Sequence, residues 1–157
     1  MRYLLLLINI WGTMSLCAQA PSELLGRPTD QSITINVFSG ADMELFWEWG
    51  SKQGDYPNKT LVYKLKANTP IDVEIEKLNA DTKYYYRCRF RPFGSGQEYT
   101  AGSEHYFQTQ RKAGTSFRFV VEADPHLDSN TIQEAYRTSL RSMLLNKPDF
   151  LVDLGDN

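Results

Sequence analysis

The sequence predicts a β-sandwich followed by the first β-α-β unit of an α/β domain. Three observations carry this. Apolar and polar residues alternate with period 2 between turn residues from 22 to 112, and near-continuous apolar runs replace that alternation at 117–123 and 150–154. A helical apolar face lies between those two runs. The chain has 157 residues, 41% of them hydrophobic, with 17 Lys and Arg against 19 Asp and Glu. Such a composition can build a core and excludes wholesale disorder. The near-balanced charge lacks the basic footprint of a nucleic-acid binder. With only two His and two Cys, a His- or Cys-rich metal cluster is excluded, so any metal site must lean on carboxylates.

The first 20 residues read as an address. Arg2 precedes Leu4, Leu5, Leu6, Leu7, Ile8, Ile10 and Trp11, and small residues follow at Ser15, Cys17, Ala18 and Ala20. This is the layout of a secretory signal peptide, and the apolar run is short for a membrane span. Ala18-Gln19-Ala20 and Ser15-Leu16-Cys17 are both candidate cleavage sites; bulky Leu16 argues against lipidation of Cys17. A retained membrane anchor is the alternative. The expected destination is secreted, periplasmic or cell envelope, with no transmembrane span once the leader is removed. Cys88 is then the only thiol, so no intrachain disulfide forms and the fold stands on packing. Asn58-Lys59-Thr60 satisfies the glycosylation acceptor rule, which matters only in a eukaryotic source.

Residues 21–112 supply the sandwich. Ile33, Ile35 and Val37 alternate with Thr34 and Asn36, and Glu44 to Trp49 forms an aromatic strand ending at Gly50. Gly54-Asp55-Tyr56-Pro57-Asn58 is turn chemistry. Thr60 to Leu65 and Asp72 to Ile75 read as further strands. Tyr84, Tyr86, Cys88 and Phe90 then alternate with Lys83, Tyr85, Arg87 and Arg89, and His105 to Thr109 closes the series. About seven short strands without helical period between them point to an antiparallel sandwich. Cys88 reads as a small buried hydrophobe, and His105 as structural or solvent-facing.

One segment sharpens this reading. Leu78-Asn79-Ala80-Asp81-Thr82-Lys83-Tyr84 resembles the corner of fibronectin type III domains, where a Leu, a Thr and a Tyr at this spacing lead into a long strand. The resemblance implies that the Tyr84 hydroxyl bonds back to the nearby backbone. Ala80 stands where that family often has proline. A domain of this kind is a spacer or a binding module and carries no chemistry of its own.

From 113 to 157 the period changes. Phe117, Phe119, Val120, Val121 and Ala123 suit a strand covered on both faces, ending in Glu122-Ala123-Asp124-Pro125-His126. Ser129, Asn130 and Thr131 are candidate N-caps, with Gln133 or Glu134 placed to complete a capping box. Ile132, Ala135, Tyr136, Leu140, Met143 and Leu144 fall on one helical face. Pro148 stops the helix, and Phe150, Leu151, Val152 and Leu154 lead into Gly155-Asp156-Asn157. A single β-α-β unit makes the two strands parallel, linked by a right-handed crossover. Asp124 and Asp156 then stand at the carboxyl ends of the strands, where open α/β sheets gather ligands. If the strands are neighbours, both carboxylates can converge on one ion or an ion pair, His126 can reach the same point, and Gly155 leaves room for backbone to pass close.

Asp124-Pro125-His126, a helix, and then Gly155-Asp156-Asn157 resemble the first two blocks of the calcineurin-like metallophosphoesterases, as does the text of 117–128 and 148–157. The resemblance implies that Asp124 and His126 hold one metal and that Asp156 bridges two. Asn157 receives no assured role, because the family's ligand asparagine belongs to a later Asn-His block. A fibronectin-like domain ahead of such a unit is similar to the purple acid phosphatase arrangement. That branch usually has Gly where this chain has His126, so the broader family is favoured. The implied cofactors are two divalent ions, with Mn, Fe or Zn suiting a carboxylate and imidazole set. The implied reaction is hydrolysis of a phosphate ester by a metal-bridged hydroxide, with no residue of this chain acting as a covalent catalyst. Phosphomonoesters, diesters and nucleotides all remain open as substrates.

Three ligands fall short of the six or seven that a two-metal site needs. A lone β-α-β unit also leaves apolar faces uncovered. The sequence is therefore expected to be the N-terminal part of a longer protein, with a foldable sandwich, a frayed tail and no turnover by itself. The rival is a non-enzymatic exported binding module that uses Trp47, Trp49, Tyr84, Tyr85 and Tyr86 as a ligand face. Strand alternation turns about half of these aromatics inward.

Overall fold

The computed structural model describes residues 19–125, 127–128 and 132–155. Residues 1–18, most of the leader expected over 1–20, lie outside them. So do His126, the candidate caps Ser129, Asn130 and Thr131, and the final pair Asp156 and Asn157.

Two antiparallel sheets form a sandwich. The smaller consists of β1 (Ser22–Gly26), β2 (Ile33–Phe38) and β6 (Ile71–Ile75), in the order β1-β2-β6. The larger is built on β3 (Met43–Gly50) and β7 (Lys83–Pro92), which pair over eight registered positions from Met43↔Pro92 to Gly50↔Tyr85. Short strands complete it: β4 (Asn58–Lys59) and β5 (Tyr63–Leu65) on β3, and β8 (Thr100–Ala101) and β9 (His105–Gln108) on β7.

The inward residues are those that the alternation picks out. Ile33, Ile35 and Val37 face Met43, Leu45 and Trp47, with Val73, Ile75, Tyr84, Tyr86, Cys88, Phe90 and Phe107 around them. Trp47, Ile35, Leu45 and Val37 are fully buried, which makes this cluster the centre of the core. The tyrosine corner is present: Asn79 N–H donates to Tyr84 Oη at 2.9 Å, and buried Leu78 packs beneath it.

Three local readings change. The strand expected from Thr60 to Leu65 is broken, because Trp47 N–H donates to the Thr60 hydroxyl (3.1 Å) and that hydroxyl donates to Leu61 C=O (2.8 Å). The side chain thus takes ladder positions, and Leu61 and Val62 turn outward. Strands β1, β4 and β8 are additions to the expected set. The capping box is not formed by Gln133 or Glu134: the helix begins at Gln133 with Ile132 in the cap position, which offers no side-chain oxygen.

Strand β1 places a carboxylate between the sheets. Glu23 is registered with buried Val37 and therefore faces the core, where it accepts Trp47 Nε1–H at 2.8 Å. Burial raises its pKa above the ordinary carboxylate value of 4.5, opposed by hydrogen bonding to Trp47 and Cys88 and by the charge of His105. The folded state thus holds this proton more tightly than the unfolded chain. The resulting stability is fully present below 4.5 and is lost as pH rises through the folded-state value. Accordingly, Glu23→Gln should gain stability relative to wild type as pH is raised from 4 to 7. Urea unfolding at several pH values reads the difference, and a wild-type–variant gap independent of pH would refute the assignment.

Beyond the sandwich, β10 (Phe119–Glu122) and β11 (Phe150–Asp153) pair in parallel, with helix α1 (Gln133–Leu145) between them in sequence. Parallel neighbours joined through a helix are what the change of period predicts. Tyr136, Leu140 and Met143, at i, i+4 and i+7, are the half-buried residues of α1. The apolar runs suit strands covered on both faces, but a lone β-α-β unit leaves such faces bare, and Phe117, Phe119, Val121, Phe150 and Leu151 are about half or more exposed. Phe119 and Phe150 instead stack on each other, with centroids 5.5 Å apart and planes at 7°.

Candidate metal centre

The register of the parallel pair decides which residues share a rim. Glu122 is opposite Asp153, and Leu154 N–H donates to Glu122 C=O at 3.0 Å. Two residues further along, Asp124 N–H donates to Gly155 C=O at 3.2 Å. Asp124 and the peptide preceding Asp156 therefore lie side by side at the carboxyl ends of the two strands.

Both strands leave the sheet there in left-handed conformations. Asp124 has φ +53° and Gly155 φ +89°. Aspartate is among the few side chains that tolerate this region, and glycine enters it without strain. Among the described residues a Cβ built at Gly155 would meet nothing within 4 Å, so the constraint visible at this position is the positive φ. Its N–H is held by Asp153 Oδ1 at 2.8 Å, which tightens the turn.

Asp124 is exposed, and its carboxylate makes no hydrogen bond to another described residue, so its oxygens are available to a cation. Among the described residues no group of three or more His, Cys, Asp or Glu side chains converges to hold a metal. Of the three ligands expected from sequence, Asp124 is at the rim, while His126 and Asp156 fall outside the described residues. The donor chemistry fits hard or borderline divalent ions.

A further carboxylate lies behind the rim. Glu122 is buried, one of its side-chain oxygens has no hydrogen-bond partner among the described residues, and it lines the same cavity as Tyr136 of α1. Interaction with the Glu122 carboxylate, together with burial and the charge of Asp153, raises the Tyr136 pKa. The cavity, of about 520 Å³, opens between α1 and β10 beside this pair, with Pro125, Ala135, Ser139 and Met143 in its walls. Sequence reasoning did not single out Glu122 or Tyr136. The available signal was a glutamate interrupting an apolar strand.

The rival aromatic face resolves differently. Trp47, Tyr84 and Tyr86 are core residues, whereas Trp49 and Tyr85 are half-buried. His105 is exposed, with its ring 5.8 Å from that of Tyr86. The outer face of the larger sheet carries Lys83 Nζ at 3.9 Å from the Tyr106 ring centroid and Arg91 at 4.3 Å from that of Tyr99.

Comparison with solved structures extends the fold beyond the sandwich. The structure of PhoD superposes with a TM-score of 0.52 at 18% identity, covering 85% of this chain and 27% of that one. The match takes in more than strands β1 to β9, whose residues 22–108 make up little more than half of the chain. A computationally redesigned β-sandwich protein gives a TM-score of 0.44 at 18% identity, over 59% of this chain and 96% of that one. The fn3 domain of human collagen alpha-1(XX) chain gives 0.41 at 17% identity, over 67% and 98%. No family model matches the chain, and no curated protein matches it. The likeness to PhoD is one of fold, and the chain spans about a quarter of that structure's length. No helix among the described residues is long and apolar enough to cross a membrane.

Proposed function

We infer that this chain provides the opening part of an exported, metal-dependent phosphoesterase. Residues 1–20 are its leader, 21–112 its fibronectin type III-like sandwich, and 113–157 the start of a calcineurin-like metallophosphoesterase domain. The observation that supports this reading is the 3.2 Å bond from Asp124 N–H to Gly155 C=O, which sets Asp124 beside Gly155 at one rim. Asp124 and His126 are assigned to one divalent ion, and Asp156 to the bridge between two. Once bound, Mn, Fe or Zn ions supply Lewis-acid polarisation of the phosphoryl group and a nucleophilic water near neutral pH. The chain's own part is positional: the left-handed turns at Asp124 and Gly155 set the direction in which the rim carboxylates leave the strands. Phosphate esters are the substrate class, and this segment alone holds too few ligands to turn them over.

Manganese titration of the chain, followed by EPR of free Mn, tests the assignment. Wild type should bind Mn, and both Asp124→Asn and Asp156→Asn should weaken binding by about tenfold or more, since loss of even an outer-shell partner costs that much. The sandwich should unfold at an unchanged midpoint in both variants. Equal Mn affinity in all three proteins would remove the metal reading. It would favour the rival, a non-enzymatic exported module whose binding face is the cation–aromatic surface around Lys83, Tyr85 and Tyr106.

A further inference from the structure

The stretch between the sandwich and the β-α-β unit is fastened at both ends. On the sandwich side, Gln110 N–H donates to Thr29 C=O and Gln110 C=O accepts Asp81 N–H, each at 2.9 Å. The next residue, Arg111, spreads its guanidinium between two carboxylates. Its Nη1 donates to Asp81 Oδ2 at 3.2 Å and its Nε to Asp149 Oδ1 at 2.7 Å. Asp149 immediately precedes β11. Its other oxygen accepts Arg118 N–H at 2.8 Å, and its own N–H donates to Arg118 C=O at 2.7 Å. Arg118 in turn immediately precedes β10. Between these anchors, residues 112–117 fold back on themselves: Thr115 gives both its N–H (3.2 Å) and its hydroxyl (2.7 Å) to Lys112 C=O, with Gly114 at φ +83°.

We propose that Arg111 is an orientation clamp: through Asp81 it grips the corner of the sandwich and through Asp149 the foot of the parallel pair, so the two units turn in solution as one body. A lone exposed ion pair would not hold such a joint. This one is a network, in which a rigid planar fork is shared by two acceptors. One of those acceptors, Asp149, is itself fixed by two bonds to the Arg118 backbone. Hydrogen bonds from the Arg118 N–H and from Arg111 hold the Asp149 carboxyl below its ordinary pKa. The consequence is that the rim carrying Asp124 keeps a constant bearing relative to the sandwich, whatever the site binds.

Nitrogen-15 relaxation of the whole 157-residue chain at low salt tests the clamp. Amides of β3 and β7 should share one rotational correlation time with those of β10 and α1. In Arg111→Gln and in Asp81→Asn, the amides of β10 and α1 should tumble faster, with a correlation time shortened by roughly twofold for the smaller body, while the sandwich keeps its native shifts. Arg111→Lys, a point charge without the fork, should fall between. Asp81→Asn leaves every contact of the parallel pair in place, so it decides the matter even if Arg111→Gln unfolds that unit. Separate correlation times in wild type, or common tumbling retained in Asp81→Asn, would overturn the proposal.

Discussion

Trp47→Ala is expected to cost the sandwich about 3–5 kcal/mol, the range for emptying a buried aromatic site. Trp47 has no exposed surface and sits at the centre of the cluster between the two sheets. Its ring meets Tyr63 edge-on, with centroids 6.3 Å apart. Its Nε1–H is the donor that Glu23 accepts at 2.8 Å, so truncation also leaves an inward carboxylate short of a partner. A domain of this size has about 5–15 kcal/mol in total, and the variant should stand near its folding limit at 37 °C. Trp47→Phe separates the two contributions: it keeps most of the ring, loses the donor, and should cost about 1–3 kcal/mol. Urea unfolding followed by far-UV circular dichroism gives both numbers. A loss under 1 kcal/mol for the alanine variant would mean that the core is not centred on this residue.

Gly50→Ala comes next, with an expected loss of about 3 kcal/mol, the upper end for overpacking. Gly50 is the last residue of β3, opposite Tyr85. A Cβ there would fall 2.1 Å from the Asp55 carbonyl oxygen and 2.8 Å from Pro57 Cδ. The obstructing atom is backbone, within a loop that cannot drift freely: Asp55 N–H is bonded to Lys52 C=O at 3.2 Å, and Gly54 N–H to Glu104 Oε2 at 2.8 Å. Tyr56 also hydrogen-bonds Glu104. Relief therefore requires the whole 51–57 loop to shift and its ties to Glu104 to break. Thermal unfolding measures the cost, and the Tyr56 ring resonances report whether the loop has moved. A neutral substitution with an unmoved loop would contradict this packing.

The sandwich was legible wherever a strand has one wet and one dry face. Ile33-Ile35-Val37 and Tyr84-Tyr86-Cys88-Phe90 follow that rule, and each of these residues is buried. Strand β1 escaped notice because Glu23 occupies an inward position, which breaks the hydrophobic period that such a reading depends on. The Thr60 interruption escaped for another reason: a hydroxyl standing in for a backbone acceptor leaves no periodic trace. At the rim, residue types and their order in the chain pointed to Asp124, but its nearness to Gly155 depends on strand register. That register is secured in part at the opposite end, by Asp149 bonding to Arg118. Tertiary bonds of this sort lie beyond local pattern, as does the contact of Tyr136 with Glu122 across the helix–strand interface.

The burial of Cys88 has a consequence for where the protein can survive. Its thiol is enclosed among Trp47, Tyr86 and Phe90 in the core cluster, and burial, together with the neighbouring Glu23, raises its pKa far above the ordinary thiol range. Only the thiolate attacks disulfides or reacts readily with oxidants, and at neutral pH almost none is present. An unpaired cysteine is usually a hazard in an oxidising compartment, inviting mixed disulfides and covalent dimers. Here the sandwich keeps it chemically silent for as long as it stays folded, so covalent cross-linking through this sulfur would report unfolding.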